Sequence, residues 1–348
     1  MRRVIAHRLK WDDEGVASTV GTIMALLVFL TFLSMIVNSY VPVWMKDAES
    51  SHMNVAFGQF GDLKAGIDMQ ILAGYMSDLA GQHFTPITTF NPITLGVDGV
   101  PIFSAPTLGQ VFATQNGTPW KTSFKYFPNK YVPTPAFVNE TAGGQVALAV
   151  YNRYFVQQSL VYENGAVIRF QYDGQLVRAE PTFAISFVNN TESISMVMIT
   201  MLGSGSMEGT TTEGVLTRVV SVDTEDYVRL RSDVNITHSS LYGLAWYGFF
   251  NNTLFSAFNL TAYSCRLPGF TCTTTAGGPY GIRNQKVVSP YFIVNVTWNP
   301  GTNQFDVWVQ LKNDYQNNIP QTMPISTFRI QKVVMNMAVG GIGSQVNI

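Results

Sequence analysis

The most apolar stretch of the chain lies close to its N-terminus. Residues 15–45 contain no Asp, Glu, Lys, Arg or His, and residues 22–37 read TIMALLVFLTFLSMIV. A helix of roughly 20 apolar residues crosses the ~30 Å core of a bilayer. This run is apolar on all sides, whereas a helix in a soluble core carries a polar stripe. The pattern predicts a helix over residues 16–42 that lies in a membrane or in a core made of such helices.

The apolar positions after residue 43 follow a helical spacing instead of forming a continuous run. They recur every three or four residues, which places them on one face of an amphipathic helix, and they are Met53, Phe57, Phe60, Leu63, Ile67 and Ile71. The spacing predicts a stalk helix over residues 43–84. Its stripe must pack on the body of the same chain or on a neighbouring subunit, and we expect the first. Pro42 lacks a backbone N–H, so we expect it to bend or break the helix.

Short alternating runs replace the helical pattern after residue 84. Gly, Pro and Asn separate these runs, which is typical of antiparallel β structure. Asn164-Gly165 favours a type I′ hairpin turn, because both central residues of that turn need positive φ. Further turns are expected at residues 189–191 and 299–303. The predicted strands cover residues 145–151, 160–162, 166–172, 183–188, 193–202, 291–298, 305–311 and 328–339.

One segment of the body departs from the β pattern. Between residues 239 and 258 the apolar side chains have roughly helical spacing, and they include Leu241, Leu244, Ala245, Trp246, Phe249, Phe250, Leu254 and Phe255. The sequence therefore predicts an α+β fold, in which a long N-terminal helix precedes a mainly antiparallel, sandwich-like body over residues 85–348 with one packed helix. The body is either one sandwich or two β units that divide near residues 222–238. The pattern favours neither.

The charges around the apolar run predict its orientation. Four basic residues precede it, namely Arg2, Arg3, Arg8 and Lys10, whereas Lys46 follows it next to acidic residues. Basic residues stay on the cytoplasmic side, so the N-terminus is expected in the cytoplasm and the body outside the cell. The formal net charge of -1 offers no basic face for a nucleic acid.

The residues around the apolar helix form a series that resembles a known signal. The basic leader MRRVIAHRLK is followed by a charged stretch that ends in Gly15, and then by VASTVGTIMALLVFLTFL. This series resembles the class III signal of archaeal type IV pilins and archaellins. Residues 40–54, 152–174 and 236–260 also resemble an archaeal family of uncharacterised pilin-like proteins.

The resemblance implies a processing site and an assembly. In that superfamily a membrane peptidase cuts after the Gly, which corresponds here to the bond between Gly15 and Val16, so that residues 1–15 form a cleaved leader. The retained helices bundle into a filament core, and the partners are other copies of the chain, the membrane, the prepilin peptidase and the pilus assembly machinery. The plainer alternative is that the basic leader only orients a single-pass membrane protein.

Several residues of the apolar run are expected to pack between helices. Gly21 and Ala25 would permit close approach, and Leu27 and Phe29 lie in the most apolar part. The hydroxyl of Thr22, together with those of other Thr and Ser residues of the run, would need hydrogen bonds to neighbouring helices.

The two cysteines of the chain, Cys265 and Cys272, enclose a Pro-Gly turn. In an extracellular body this spacing predicts a hairpin disulfide. Two free thiols and a metal-ligand pair are the alternatives.

Seven Asn-x-Thr sequons lie on the expected outer side, at Asn116, Asn139, Asn189, Asn235, Asn251, Asn259 and Asn295. Such sequons are glycosylation acceptors in extracellular proteins. Asn and Thr are also common in turns, which is the alternative interpretation.

The sequence shows no catalytic, cofactor-binding or metal-binding motif. We therefore assign no catalytic, cofactor-binding or metal-binding residue and expect no enzyme activity. His238 is interpreted as a neighbour of a helix cap, and residues 203–209 as a flexible turn. The favoured function is a pilin-like subunit of an archaeal cell-surface filament for adhesion or contact. The alternative is a single-pass surface glycoprotein that binds a ligand or a cell-envelope component. An extracellular hydrolase with distant paired carboxylates is a third hypothesis.

Overall fold

A single long helix forms the N-terminal part of the chain in the computed structural model, which describes residues 13–100, 103–115, 117–128, 134–188, 191–313 and 324–340. Helix α1 (Asp13–Met35) continues through a π-helical turn (Ile36–Tyr40) into α2 (Val41–Leu79). The predicted break at Pro42 is absent. Pro42 lies in the first turn of α2, and the widened π turn directly before it accommodates the ring and the missing N–H.

Eighteen strands make up most of the described body, together with helix α3 (Gly243–Ala257). The strands are β1 (Thr89–Thr94), β2 (Gly109–Thr114), β3 (Trp120–Tyr126), β4 (Ala136–Ala142), β5 (Gln145–Val150), β6 (Gln158–Glu163), β7 (Ala166–Gln171), β8 (Gly174–Ala179), β9 (Phe183–Val188), β10 (Thr191–Leu202), β11 (Gly205–Gly209), β12 (Thr212–Val228), β13 (Val234–Ser240), β14 (Thr271–Thr275), β15 (Asn284–Val288), β16 (Phe292–Asn299), β17 (Gln304–Leu311) and β18 (Ile325–Gly340).

These strands form three sheets. Their orders are β1-β12-β18-β10-β9, β11-β2-β5-β6-β7-β8 and β14-β15-β16-β17-β13-β3-β4. β10 and β18 run parallel, and the other described strand pairs within the sheets are antiparallel, so the predicted α+β fold is confirmed. Sheets one and three each take strands from both sides of residues 222–238, so a division of the chain there would separate hydrogen-bonded strands.

The hairpins predicted at Asn164-Gly165 and at residues 299–303 form as expected, whereas residues 189 and 190 of the third predicted turn lie outside the described ranges. Asn164 and Gly165 have φ values of 43° and 82°, and Glu163 pairs directly with Ala166 across them, as a two-residue type I′ turn requires. The turn does not face solvent. The buried Asn164 side chain accepts a hydrogen bond from the Ile199 backbone at 2.8 Å, which attaches the second sheet to the first.

The stripe of α2 packs on the body of its own chain, as predicted. Met53, Phe60, Leu63, Ile67 and Ile71 are buried among side chains of the first and second sheets. Burying one large apolar side chain contributes about 1.5–3 kcal/mol, so the stripe holds the helix firmly. The helix ends where Gly81 adopts a positive φ of 63°. The Gln82 N–H then bonds to the Ser77 carbonyl, which closes a Schellman motif.

The body helix begins later than predicted. Residues 239 and 240 complete β13, which pairs with β17 through Ser240, and Leu241 is exposed. From Gly243 onward α3 packs against β8, β16 and β17. Its buried aromatic residues Trp246, Phe249 and Phe250 fill a second apolar core, on the side of the body away from α2.

Residues 203–209 are mostly strand instead of the predicted flexible turn. Gly203 makes a tight turn with φ 108°, and β11 then pairs with β2. Ten strands had no prediction from the sequence, β12 among them. A register shift between Val219 and Ser221 interrupts the alternation of β12, and its second half is rich in charged residues.

Candidate assembly and membrane-contact surface

The side chains of residues 18–40, here called the bare segment, have almost no cover from the rest of the described chain. Most of them are exposed. They include the large apolar residues Val28 and Phe29, whose exposed fractions are 68% and 62%. The segment is about 35 Å long at 1.5 Å per residue, which exceeds the ~30 Å core of a bilayer. This is the one helix in the described residues that is long and apolar enough to cross a membrane.

Several polar side chains of the bare segment form hydrogen bonds within the segment. Thr22 Oγ1 donates to the Thr19 carbonyl and Thr31 Oγ1 to the Val28 carbonyl, each at 2.8 Å. Asn38 Nδ2 donates to Ser34 Oγ at 3.1 Å. The expectation that these hydroxyls need partners on neighbouring helices is therefore wrong for Thr22 and Thr31, because carbonyls one turn earlier accept their hydrogen bonds.

The other predicted packing residues lie on this surface as expected from their positions. A Cβ added to Gly21 would meet nothing within 4 Å. Ala25, Leu27 and Phe29 are exposed. Gly21 and Ala25 lie one helical turn apart on the same face, which leaves room for a second backbone to approach closely. The backbone of Gly15 and Val16 lies in the first turn of α1, and the leader residues 1–12 lie outside the described ranges.

Burial begins at Val41 and Met45, and a carboxylate attaches the next turn to the body. Glu49 is completely buried. Its two carboxylate oxygens accept hydrogen bonds from Thr107 Oγ1 at 2.6 Å and from three successive backbone N–H groups, those of residues 153, 154 and 155, at 2.6–3.0 Å. Burial alone would raise the pKa of Glu49, but these hydrogen bonds outweigh it and hold the pKa below its ordinary value of 4.5.

Further polar side chains continue this attachment along α2. The His52 ring lies 2.9 Å from the Thr94 carbonyl through Nε2, and burial lowers the pKa of this histidine. Gln59 accepts from the Thr94 N–H at 2.9 Å. Gln70 accepts from the Val219 N–H at 2.9 Å and donates to Thr89 Oγ1 at 3.0 Å. The docked helix is therefore positioned by directional bonds as well as by its apolar stripe.

The predicted disulfide is present in the structure. Cys265 lies in a short 3₁₀ helix (Ala262–Arg266) and Cys272 in β14, with their Cα atoms 5.7 Å apart. The bond connects the edge of the third sheet to the loop after α3.

The sequon asparagines differ in their accessibility. Asn139 and Asn259 are exposed, whereas Asn235, Asn251 and Asn295 are half-buried. Asn251 lies within α3, where its Oδ1 is buried without a hydrogen-bond partner in the described structure. Two further sequon positions, Asn116 and Asn189, lie outside the described residues. Asn139 and Asn259 are thus the most accessible acceptors that the structure describes.

A buried polar cluster that the sequence did not predict connects the second and third sheets. His238 lies on β13, not at a helix cap, and its Nε2 contacts the carboxylate of Glu163. The same carboxylate accepts hydrogen bonds from Trp246 Nε1 at 3.1 Å and from Ser240 Oγ at 3.0 Å. Trp120 stacks on the imidazole, with ring centroids 4.0 Å apart. Glu163 and Trp120 lie far in the sequence from His238, Ser240 and Trp246, and no local pattern indicates that they meet.

A second buried carboxyl group, that of Glu192, lies near the start of β10. Its Oε1 has no hydrogen-bond partner among the residues that the structure describes. Burial raises the pKa of Glu192 to about 8, so this side chain is mostly neutral at pH 7. In the same described ranges, no three His, Cys, Asp or Glu side chains come together as a metal-binding group.

The fold and this surface define an α+β protein with a bare, apolar N-terminal helix and a β-rich body docked on the continuation of that helix. No family model, no curated protein and no solved structure matches the chain.

Proposed function

We propose that the chain is a pilin-like structural subunit of a cell-surface filament, which polymerises through the bare segment and serves adhesion or surface contact. The observation that carries this proposal is one continuous helix, Asp13 to Leu79, whose C-terminal part is docked on the body and whose residues 18–40 have almost no cover. Exposing such a surface to water is unfavourable, because each large apolar side chain left exposed loses about 1.5–3 kcal/mol of burial free energy. Lipid or neighbouring helices must therefore cover it.

The internal hydrogen bonds of the bare segment support a role in both environments. Backbone and hydroxyl groups of a helix in an apolar medium must be satisfied internally, and Thr22 and Thr31 meet this condition. A subunit with this property can leave lipid for a protein core without losing a hydrogen bond. The small residues Gly21 and Ala25 then allow helices to approach closely.

The attachment at Glu49 supports a structural role for the body. Four hydrogen bonds connect this carboxylate to the body within three turns of the bare segment. A load applied to the body is thereby passed to the helix through a buried, directional contact instead of a flexible linker.

A second candidate is a single-pass surface glycoprotein that stays in the membrane. The exposed rings of Tyr40 and Trp44, 6.0 Å apart where burial begins, favour it, because such rings are typical of a membrane interface. The exposed sequons at Asn139 and Asn259 are compatible with both candidates. In either case we infer that the N-terminus is cytoplasmic and the body extracellular. The pilin-like proposal also includes cleavage between Gly15 and Val16, which the intact mass of the isolated protein would test.

Cysteine cross-linking on the cell surface distinguishes the two candidates. Met24 and Leu26 are exposed and lie about 200° apart around the helix, and the natural cysteines are already paired. The double variant M24C/L26C should give a ladder of covalent multimers in sheared surface material after mild oxidation, because each helix in a filament core contacts neighbours on several sides.

Three controls make this result specific. Each single variant should give dimers without a ladder, since one cysteine links only two chains. A cysteine in place of the highly exposed Tyr172 of the body reports non-specific cross-linking. If M24C/L26C stays in detergent-extracted membranes and yields monomers, the filament proposal fails and the membrane-anchored form is favoured.

A further inference from the structure

The outer edge of the first sheet is an open strand. β9 is the last strand of this sheet and, among the described residues, pairs only with β10. The bond from the Val197 N–H to the Thr182 carbonyl shows which residues face β10. Because backbone groups alternate along an antiparallel ladder, Ala184 and Ser186 bond to β10, whereas Ile185 and Phe187 direct their N–H and C=O groups to the open side.

This edge lacks the usual protection. Natural edge strands carry charges, prolines or bulges that prevent pairing with other chains, and other sheet edges here follow this rule: Pro92 lies in β1, Glu140 in β4, Arg178 in β8 and Glu208 in β11. β9 reads FAISFV, which has strong β propensity and no charge.

The edge is also packed against the body through its aromatic residues. Phe183 packs against Phe249 and Phe250 of α3 with ring centroids 6.3 and 5.4 Å apart, and Phe187 packs against Phe258 at 5.2 Å. β14, the other described edge strand with neither a charge nor a proline, has all five residues exposed and no aromatic residue to pack in this way. β9 is therefore an ordered template for an added strand.

We propose that β9 pairs with β9 of a second copy of the chain, antiparallel and centred on Ile185. In this register the two copies form one continuous sheet, with the outer face of each on the same side. Ile185 lies opposite Ile185 of the second copy. The register also places Phe183 opposite Phe187 of the second copy, so aromatic and β-branched side chains form the favourable cross-strand pairs. Ala184 meets Ser186 on the outer face.

A second copy fits this edge for two reasons. Neither strand has a charge that would repel the other, and both present outward N–H and C=O groups at the residues that this register pairs. The contact of one strand with another buries less than the roughly 1,000 Å² of a stable interface. We therefore expect pairing to be weak between free chains and stronger where chains are held close together.

Register-specific cross-linking tests the pairing on full-length chains reconstituted densely in lipid vesicles. Opposed residues of a non-hydrogen-bonded pair have Cα atoms about 4.5 Å apart, which is within disulfide range. A mixture of differently tagged A184C and S186C chains should form mixed disulfide dimers several-fold more than either variant alone, because 184 faces 186 and not itself. Both side chains are exposed, so the fold should tolerate both changes.

Charge variants give an independent readout. A184K/S186K places lysine opposite lysine twice, whereas A184K/S186E places lysine opposite glutamate twice. The first should self-associate about two- to thirty-fold less than the second. Equal association of the two variants, or equal cross-linking by single and mixed cysteine variants, would overturn the proposal. Either result would also follow if another segment or protein covers the edge. The M24C/L26C ladder reports filament assembly separately, so the two proposals can fail independently.

Discussion

The two halves of the N-terminal helix are both rich in apolar residues, yet their surroundings differ completely. In the docked half one face is buried, and Phe60, Leu63 and Ile67 have no exposed surface. In the bare half, all faces are similarly apolar and open. The docked half also makes polar contacts outside the helix, through Glu49, Gln59 and Gln70. In the bare half, the hydroxyl groups of Thr22 and Thr31 bond to carbonyls of the same helix.

This difference indicates which surroundings each half of the helix can pack against. A helix positioned by buried polar bonds has one defined partner surface, because an unpaired buried group costs about 1–3 kcal/mol. A helix that satisfies its own polar groups accepts any apolar environment of sufficient thickness. The body is therefore joined specifically to the docked half, and the bare half can exchange lipid for other helices.

Removing one aromatic ring from each half should give the strongest contrast in stability. Phe60→Ala should lower the free energy of unfolding of the body by about 3–5 kcal/mol, because it leaves a cavity in a packed core. Phe29→Ala should change it by less than about 0.5 kcal/mol. Urea unfolding of the detergent-solubilised chain, followed by tryptophan fluorescence, measures both. Equal losses would contradict the division into a docked and a bare half.

A smaller effect is expected at the carboxylate that attaches the helix. Glu49→Ala should cost about 2–3 kcal/mol at pH 7, because it leaves buried donors unpaired. The exposed Asp47 on the same helix provides the matched control, and Asp47→Ala should be nearly neutral.

The pH dependence of that loss follows from the lowered pKa of Glu49. Its contribution is fully present above the unfolded-state pKa of about 4.5 and is lost as pH falls through the lower folded-state value. The difference between the unfolding midpoints of the parent chain and Glu49→Ala should therefore shrink progressively as pH falls below about 4.5. A constant difference from pH 7 to pH 3 would show that charge is not involved.

The smallest effect is expected in the bare half. The double variant T22V/T31V should change the free energy of membrane insertion of the helix by less than about 0.5 kcal/mol, since these hydroxyls bond within their own helix. The M24C/L26C ladder should also stay the same. Gly21→Leu should instead weaken the ladder, because it fills the space through which a second helix approaches. A strong loss with T22V/T31V would mean that the hydroxyls join helices after all.

Much of the fold could be predicted from local patterns. The helix of the apolar run, the stripe ending at Ile71 and the Asn164-Gly165 turn each depend on residues close in sequence, and these three elements are confirmed. The disulfide between Cys265 and Cys272 is also a local pair. β12 and β14 were missed because their alternation of apolar and polar residues is interrupted or absent.

The start of α3 was misplaced for a related reason. The apolar spacing extends back to Leu241, but the pairing of β13 with β17 keeps residues 239 and 240 in a strand. Long-range pairing overrides local propensity here. The interpretation of His238 as a neighbour of a helix cap was wrong for the same reason. Its neighbours in space, Glu163 and Trp120, come from distant strands.

The order of apolar residues was enough to predict a long helix whose apolar surface must be covered, because the periodicity of a helix is a property of consecutive residues. The three-dimensional packing was needed to show which sheets cover the docked half, that Glu49 and Glu163 become buried acceptors, and that β9 remains an open edge. These features depend on which distant segments meet, and that choice is made by the packing of the whole chain.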